Sequence, residues 1–123
     1  LNSFGKALCL DNENLINVVT AISGSGPAYI FYFVEVLSKI GMNQGLSAES
    51  AKVLALETLI GSAMLLESSN IDPKILRQNV TSPGGTTEAG LEILASKKNG
   101  LFDLLNNTIS CAKERAIYLN SNN

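Results

Sequence analysis

This sequence predicts an all-α fold, a helical bundle, on three observations. Apolar residues recur at spacings of three and four along several stretches, the repeat of one helix face. Helix-start signals stand ahead of those stretches, either a capping side chain or a cap followed by proline. Beyond a short apolar run at residues 7–10, nothing alternates apolar and polar residues with period two, and no repeat period appears. A length of 123 residues suits one domain with one core.

The elements follow in chain order. The run Ala7-Leu8-Cys9-Leu10 could form a strand, and a strand without a partner suggests the end of a longer protein. Asp11 or Asn12 can cap a short helix carrying Leu15, Ile16, Val18 and Val19. Ser23-Gly24-Ser25-Gly26-Pro27-Ala28-Tyr29 reads as a sharp glycine turn into a helix, with Pro27 at its first position, where the missing N–H costs nothing. Residues 30–40 are apolar nearly all round, Glu35 excepted, so that helix should be covered on every side, and Gly41 should stop it.

Ser47 suits the cap of a long helix running to about Glu67. Val53, Leu56, Ile60 and Met64 give it one apolar face, while Ala51, Ala55, Gly61 and Ala63 keep it thin enough for close approach of another helix. Asp72-Pro73 starts a short helix ending near Val80. Thr86 or Thr87 opens another through Leu91 and Leu94, and Asn99-Gly100 turns the chain. The last helix carries Phe102, Leu105, Ile109, Ala112, Ala116 and Leu119 at 3-4-3-4-3 spacing, a seam for a core or for a second subunit.

Composition narrows the function classes. The chain is 46% hydrophobic and 16% charged, which argues against disorder and for self-association as a dimer that covers the apolar helix. A net charge of -2 with scattered basic residues argues against nucleic acid as a partner. The longest strictly apolar stretch, residues 28–34, is too short to span a bilayer, and no secretory signal precedes it, so a cytoplasmic location is expected. Two cysteines far apart read as free, mostly buried thiols. Histidine is absent, which removes the commonest metal ligand and general base, so no metal site and no Ser-His triad are expected.

Two segments are candidates to carry chemistry, residues 23–29 and residues 81–87, and the second stands out. Thr81-Ser82-Pro83-Gly84-Gly85-Thr86-Thr87 joins two helices without a charge or a large side chain. Pro83 stiffens it, and the glycines let successive N–H groups point one way into a helix start, where the dipole favours an anion. A small carboxylate fits such a place better than a nucleotide triphosphate, because a phosphate loop needs lysine after its last glycine and Thr86 stands there. The same residues also read as a plain capped helix-helix turn. Glu57, Glu67 and Glu88 show no carboxylate pairing and read as solvated.

Together, Ser23-Gly24-Ser25-Gly26-Pro27-Ala28-Tyr29 and Thr81-Ser82-Pro83-Gly84-Gly85-Thr86-Thr87-Glu88-Ala89-Gly90-Leu91 closely resemble the C-terminal domain of pyrroline-5-carboxylate reductases, the last enzymes of proline biosynthesis. The resemblance runs from about Asn14 to Leu119, and Ala21 stands where many members have glycine. It implies a helical domain that interlocks with a second copy as a homodimer, which can assemble into a higher oligomer. It implies reduction of 1-pyrroline-5-carboxylate to L-proline by NADPH or NADH, held mainly by a dinucleotide-binding domain outside this chain. Residues 1–12 would then be a remnant of the junction and residues 13–123 the dimerisation and substrate-binding domain, inactive alone.

Carried over residue by residue, the resemblance places the substrate carboxylate on the amides of Gly85, Thr86 and Thr87. The Thr87 hydroxyl, the catalytic group, would lie near the ring nitrogen. Ser82 and Gly84 complete the substrate loop, and Val80, Ser25 and Thr20 border the cofactor. Two alternatives stand beside this reading: a purely oligomerising module, and the helical domain of another nicotinamide-dependent reductase of small acids.

Overall fold

The computed structural model describes residues 8–123. Among them there is no strand: Leu8, Cys9 and Leu10 are irregular, and Ala7 lies outside the described residues. An apolar run with no second strand to pair with has nowhere to place its ladder hydrogen bonds. The chain divides into two compact units, one formed by Leu1–Pro27 with Leu105–Asn123, the other by Ala28–Leu104.

In the first unit, the Asn12 side chain accepts from the Asn14 amide at 2.9 Å and caps a 3₁₀ turn, Glu13–Leu15. Helix α1 (Ile16–Val19) follows, then a π-helical turn, Thr20–Gly24, closed by the Ser25 amide donating to the Thr20 carbonyl at 2.9 Å. The hydroxyls of Thr20 and Ser23 donate to the carbonyls of Ile16 and Val19 one turn back. The sharp turn expected at residues 23–26 therefore does not form. Ser25 is right-handed, and α2 (Gly26–Asn43) begins at Gly26, with Pro27 second. Hydroxyls returning to the preceding turn let the backbone widen and bend while staying helical. Ala21, completely buried, is enclosed here, and the Asn120 side-chain Nδ2 donates to Asn17 Oδ1 at 2.7 Å.

In the second unit, α2 runs past Gly41. The stop is Gly45, at φ 105°, a left-handed conformation that glycine adopts without a Cβ penalty. Gly41 serves a different purpose: a Cβ there would come to 3.2 Å from Ala51 Cβ and 3.3 Å from Leu46 Cδ1. Helix α3 (Ala48–Ser69) begins as expected, the Ser47 hydroxyl accepting from the Ser50 amide at 3.1 Å. Its Ala51 and Ala55 are buried, and they line an apolar groove with Leu37, Ile40 and Leu46. Gly61 and Ala63 of the same helix stay exposed or open.

Helix α4 (Pro73–Asn79) starts on Asp72, whose carboxylate accepts from the Lys74 amide at 2.7 Å. Helix α5 (Thr86–Leu94) opens after Gly85, and α6 (Leu101–Ser121) after the Asn99-Gly100 turn. Asn99 is left-handed at φ 58°, and its amide donates to the Asp103 carboxylate at 2.8 Å.

The expected all-round cover of α2 is not met within one chain. No residue of α2 or α6 is buried, and Phe31 and Phe102 are 71% and 79% exposed. The Val53, Leu56, Ile60 and Met64 face of α3 is exposed as well. Both cysteines are free as expected, but they are exposed rather than buried. The reason is common to all of these. Among the described residues only Ala21, Ala51, Ala55 and Gly100 are buried, so a single chain encloses almost no core. Among the described residues, no helix is long and apolar enough to cross a membrane.

Candidate functional site

The loop between α4 and α5 is built from local hydrogen bonds. Thr81 closes α4, its hydroxyl donating to the Arg77 carbonyl at 2.6 Å and its amide to the Gln78 carbonyl at 3.1 Å. Pro83 follows, and Gly84 takes the left-handed conformation at φ 71°. The Gly85 amide donates to the Ser82 carbonyl at 3.1 Å, which folds the chain back on itself. Gly85 is the residue ahead of α5, extended at φ -87° and ψ 176°, and its carbonyl accepts the Ala89 amide at 3.2 Å. The Gly84 amide donates to Glu88 Oε1 at 3.3 Å.

The two amides nearest Pro83 are thus occupied. The first two amides of α5, those of Thr86 and Thr87, have no acceptor among the described residues, as helix geometry requires of its opening turn. They lie on exposed residues at the positive end of the helix dipole. Such a pair can hold a carboxylate, with the Thr87 hydroxyl beside it as donor or acceptor. Of the three amides expected to meet a ligand, that of Gly85 donates within the turn, while those of Thr86 and Thr87 have no acceptor among the described residues. Ser82 supports the loop through its carbonyl. Its hydroxyl lies against Gly85, where an added Cβ would meet Ser82 Oγ at 2.5 Å.

Reasoning from the sequence missed Glu88, which it left as a solvated carboxylate. The available signal was position: an acidic side chain at the third residue of a helix can reach back to amides ahead of that helix. Val80 caps α4 on the other side of the loop and is 65% exposed. Thr20 opens the π-helical turn of the first unit and Ser25 follows it, whereas residues 80–87 belong to the second. Among the described residues, no cluster of three metal-ligating side chains occurs.

Comparison with known proteins places these features in context. The family profile for pyrroline-5-carboxylate reductase dimerisation matches residues 13–119. The chain is 42% identical over 119 residues to a pyrroline-5-carboxylate reductase of Pseudomonas aeruginosa, covering 97% of this chain and 43% of the relative. It is also 42% identical over 109 residues to the enzyme of that name from Arabidopsis thaliana, covering 89% and 39%. Among solved structures, the Coxiella burnetii pyrroline-5-carboxylate reductase aligns at TM-score 0.82 and 38% identity, covering 89% of this chain and 40% of that one. The Plasmodium falciparum pyrroline carboxylate reductase, solved with NADP bound, aligns at TM-score 0.77 and 37% identity, covering 85% and 39%. This chain thus spans about two fifths of the length of the relatives it matches.

Proposed function

The chain belongs to the pyrroline-5-carboxylate reductase dimerisation family, and from that premise we propose that it is the dimerising, substrate-binding part of a cytoplasmic oxidoreductase. The reaction is reduction of 1-pyrroline-5-carboxylate to L-proline, with NADPH or NADH held mainly by a domain outside residues 13–123. Residues 1–12 are the junction with that domain. Homodimers form the working unit and can assemble further. The exposed apolar faces of α2, α3 and α6 support the dimer, since an uncovered Phe31 or Phe102 is costly in water.

The observation that carries this reading is the pair of unoccupied amides at Thr86 and Thr87, opening α5 immediately after the Pro83-Gly84-Gly85 turn. These amides hold the substrate carboxylate, and Thr87, the catalytic group, sets its hydroxyl toward the ring nitrogen. Ser82, Gly84 and Gly85 keep the loop in shape, and Val80 borders the cofactor. A nicotinamide cofactor, when bound, supplies the hydride. The protein's own part is to align the imine carbon and fix the carboxylate, catalysis by positioning and electrostatics. A protonated imine is already electrophilic, so no histidine is required.

Thr87→Ala in the complete enzyme tests the assignment. It is expected to raise KM for pyrroline-5-carboxylate and lower kcat/KM by about tenfold, the range for a lost bond to a charged group. The KM for the cofactor should stay unchanged. Steady-state kinetics equal to wild type would overturn the site, and failure of the wild type to reduce the imine would overturn the function.

A further inference from the structure

We infer that Glu88 is a positioning residue for this loop: its carboxylate clamps the Gly84 amide and so holds the Thr86 and Thr87 amides in register for the ligand. The inference rests on the reading of the loop as a carboxylate site. Pro83 is followed by two glycines, and glycine has more backbone freedom to lose than any other residue. Gly84 sits at φ 71°, so its conformation needs something to hold it.

Beyond the backbone bonds that end α4 and begin α5, three hydrogen bonds constrain the segment. The Thr81 hydroxyl ties the loop back to Arg77, and the Gly85 amide closes the turn on Ser82. The remaining bond, from the Gly84 amide to Glu88 Oε1 at 3.3 Å, is the one in which a side chain of α5 itself grips the turn. It joins residues four apart in sequence, with Thr86 and Thr87, the two that present free donors, lying between them in the chain. Without it the peptide ahead of Gly84 can flip and the donors lose their common direction.

A carboxylate in this position could instead be a rival of the ligand, repelling a second anion. The two roles predict opposite signs. A clamp makes Glu88→Ala raise KM for the imine acid, whereas a rival anion makes it lower KM.

The test uses the complete enzyme as wild type, Glu88→Ala and Glu88→Gln, with initial rates measured against pyrroline-5-carboxylate and against cofactor. Glu88→Ala should raise KM for the imine about fivefold, the lower end for a bond to a charged group once its exposure is discounted. Its kcat and cofactor KM should stay near wild type. Glu88→Gln keeps the accepting oxygen and should restore KM to within about twofold of wild type. An unchanged or lowered KM in Glu88→Ala, or an equal loss in both variants, overturns the clamp.

Hydrogen–deuterium exchange of the peptide spanning residues 81–88 gives a readout independent of turnover. It should quicken in Glu88→Ala and not in Glu88→Gln, and exchange equal to wild type in Glu88→Ala also overturns the clamp. Should the wild type not reduce the imine at all, the substrate reading falls while the exchange result still decides the clamp.

Discussion

Replacing Gly85 with alanine probes the loop at its tightest point. An added Cβ would meet Ser82 Oγ at 2.5 Å, the Ser82 carbonyl oxygen at 3.2 Å and Ser82 Cβ at 3.7 Å. The backbone at Gly85, φ -87° and ψ 176°, is open to any residue, so the cost in the folded state must come from these contacts. The hydroxyl must rotate away, and the carbonyl must give by a few tenths of an ångström while still accepting the Gly85 amide at 3.1 Å. Overpacking of this kind costs about 1–2 kcal/mol. Ser82→Ala removes the nearest atom and leaves the carbonyl as the only close contact, the Ser82 Cβ being at ordinary van der Waals distance. In that background Gly85→Ala should therefore cost less by about 1 kcal/mol, a coupling between neighbours. Thermal unfolding of the four proteins at one fixed protomer concentration reads this out, with Gly85→Ala lowering Tm by about 4–8 °C and the double variant recovering about half. An equal fall in Tm with and without the Ser82 hydroxyl would refute the steric account of the loop.

Two further outcomes follow from the same structure. Gly100 is buried, and an added Cβ would run into the Ser96 carbonyl and amide and the Leu94 carbonyl, all backbone atoms that cannot rotate aside. Gly100→Ala should thus destabilise by about 2–3 kcal/mol, read from the denaturant midpoint at unchanged slope. With α2 and α6 holding no buried residue, sedimentation equilibrium of this chain should give twice its 13.0 kDa mass; a stable monomer would remove the support for the dimer.

How much of this was legible depended on range. The caps at Ser47 and Asp72, the start of α5 at Thr86 and the Asn99-Gly100 turn stand where the residues placed them. Each of these acts through bonds reaching no more than four residues, so local chemistry suffices. The errors came where local rules compete. Gly41 and Gly45 both lie at a plausible end of α2, and the choice went to Gly45 because Gly41 is occupied in letting Ala51 approach. At Ser23-Gly24-Ser25-Gly26 the glycines invite a turn, but hydroxyl bonds to the preceding carbonyls kept the chain helical. In the loop, the glycine pattern announced free amides, and only the fold showed that Ser82 and Glu88 take the first two and leave Thr86 and Thr87.

Local chemistry alone set most of the helices, the caps at Ser47 and Asp72 and the glycine loop that marks the family, because periodicity and capping are written in neighbouring residues. Only the packed chain decided which small residues of α3 meet α2, and that Phe31 and Phe102 find no cover within one chain. Those outcomes depend on atoms brought together across the fold, and burial is a property of what surrounds a side chain rather than of the side chain itself.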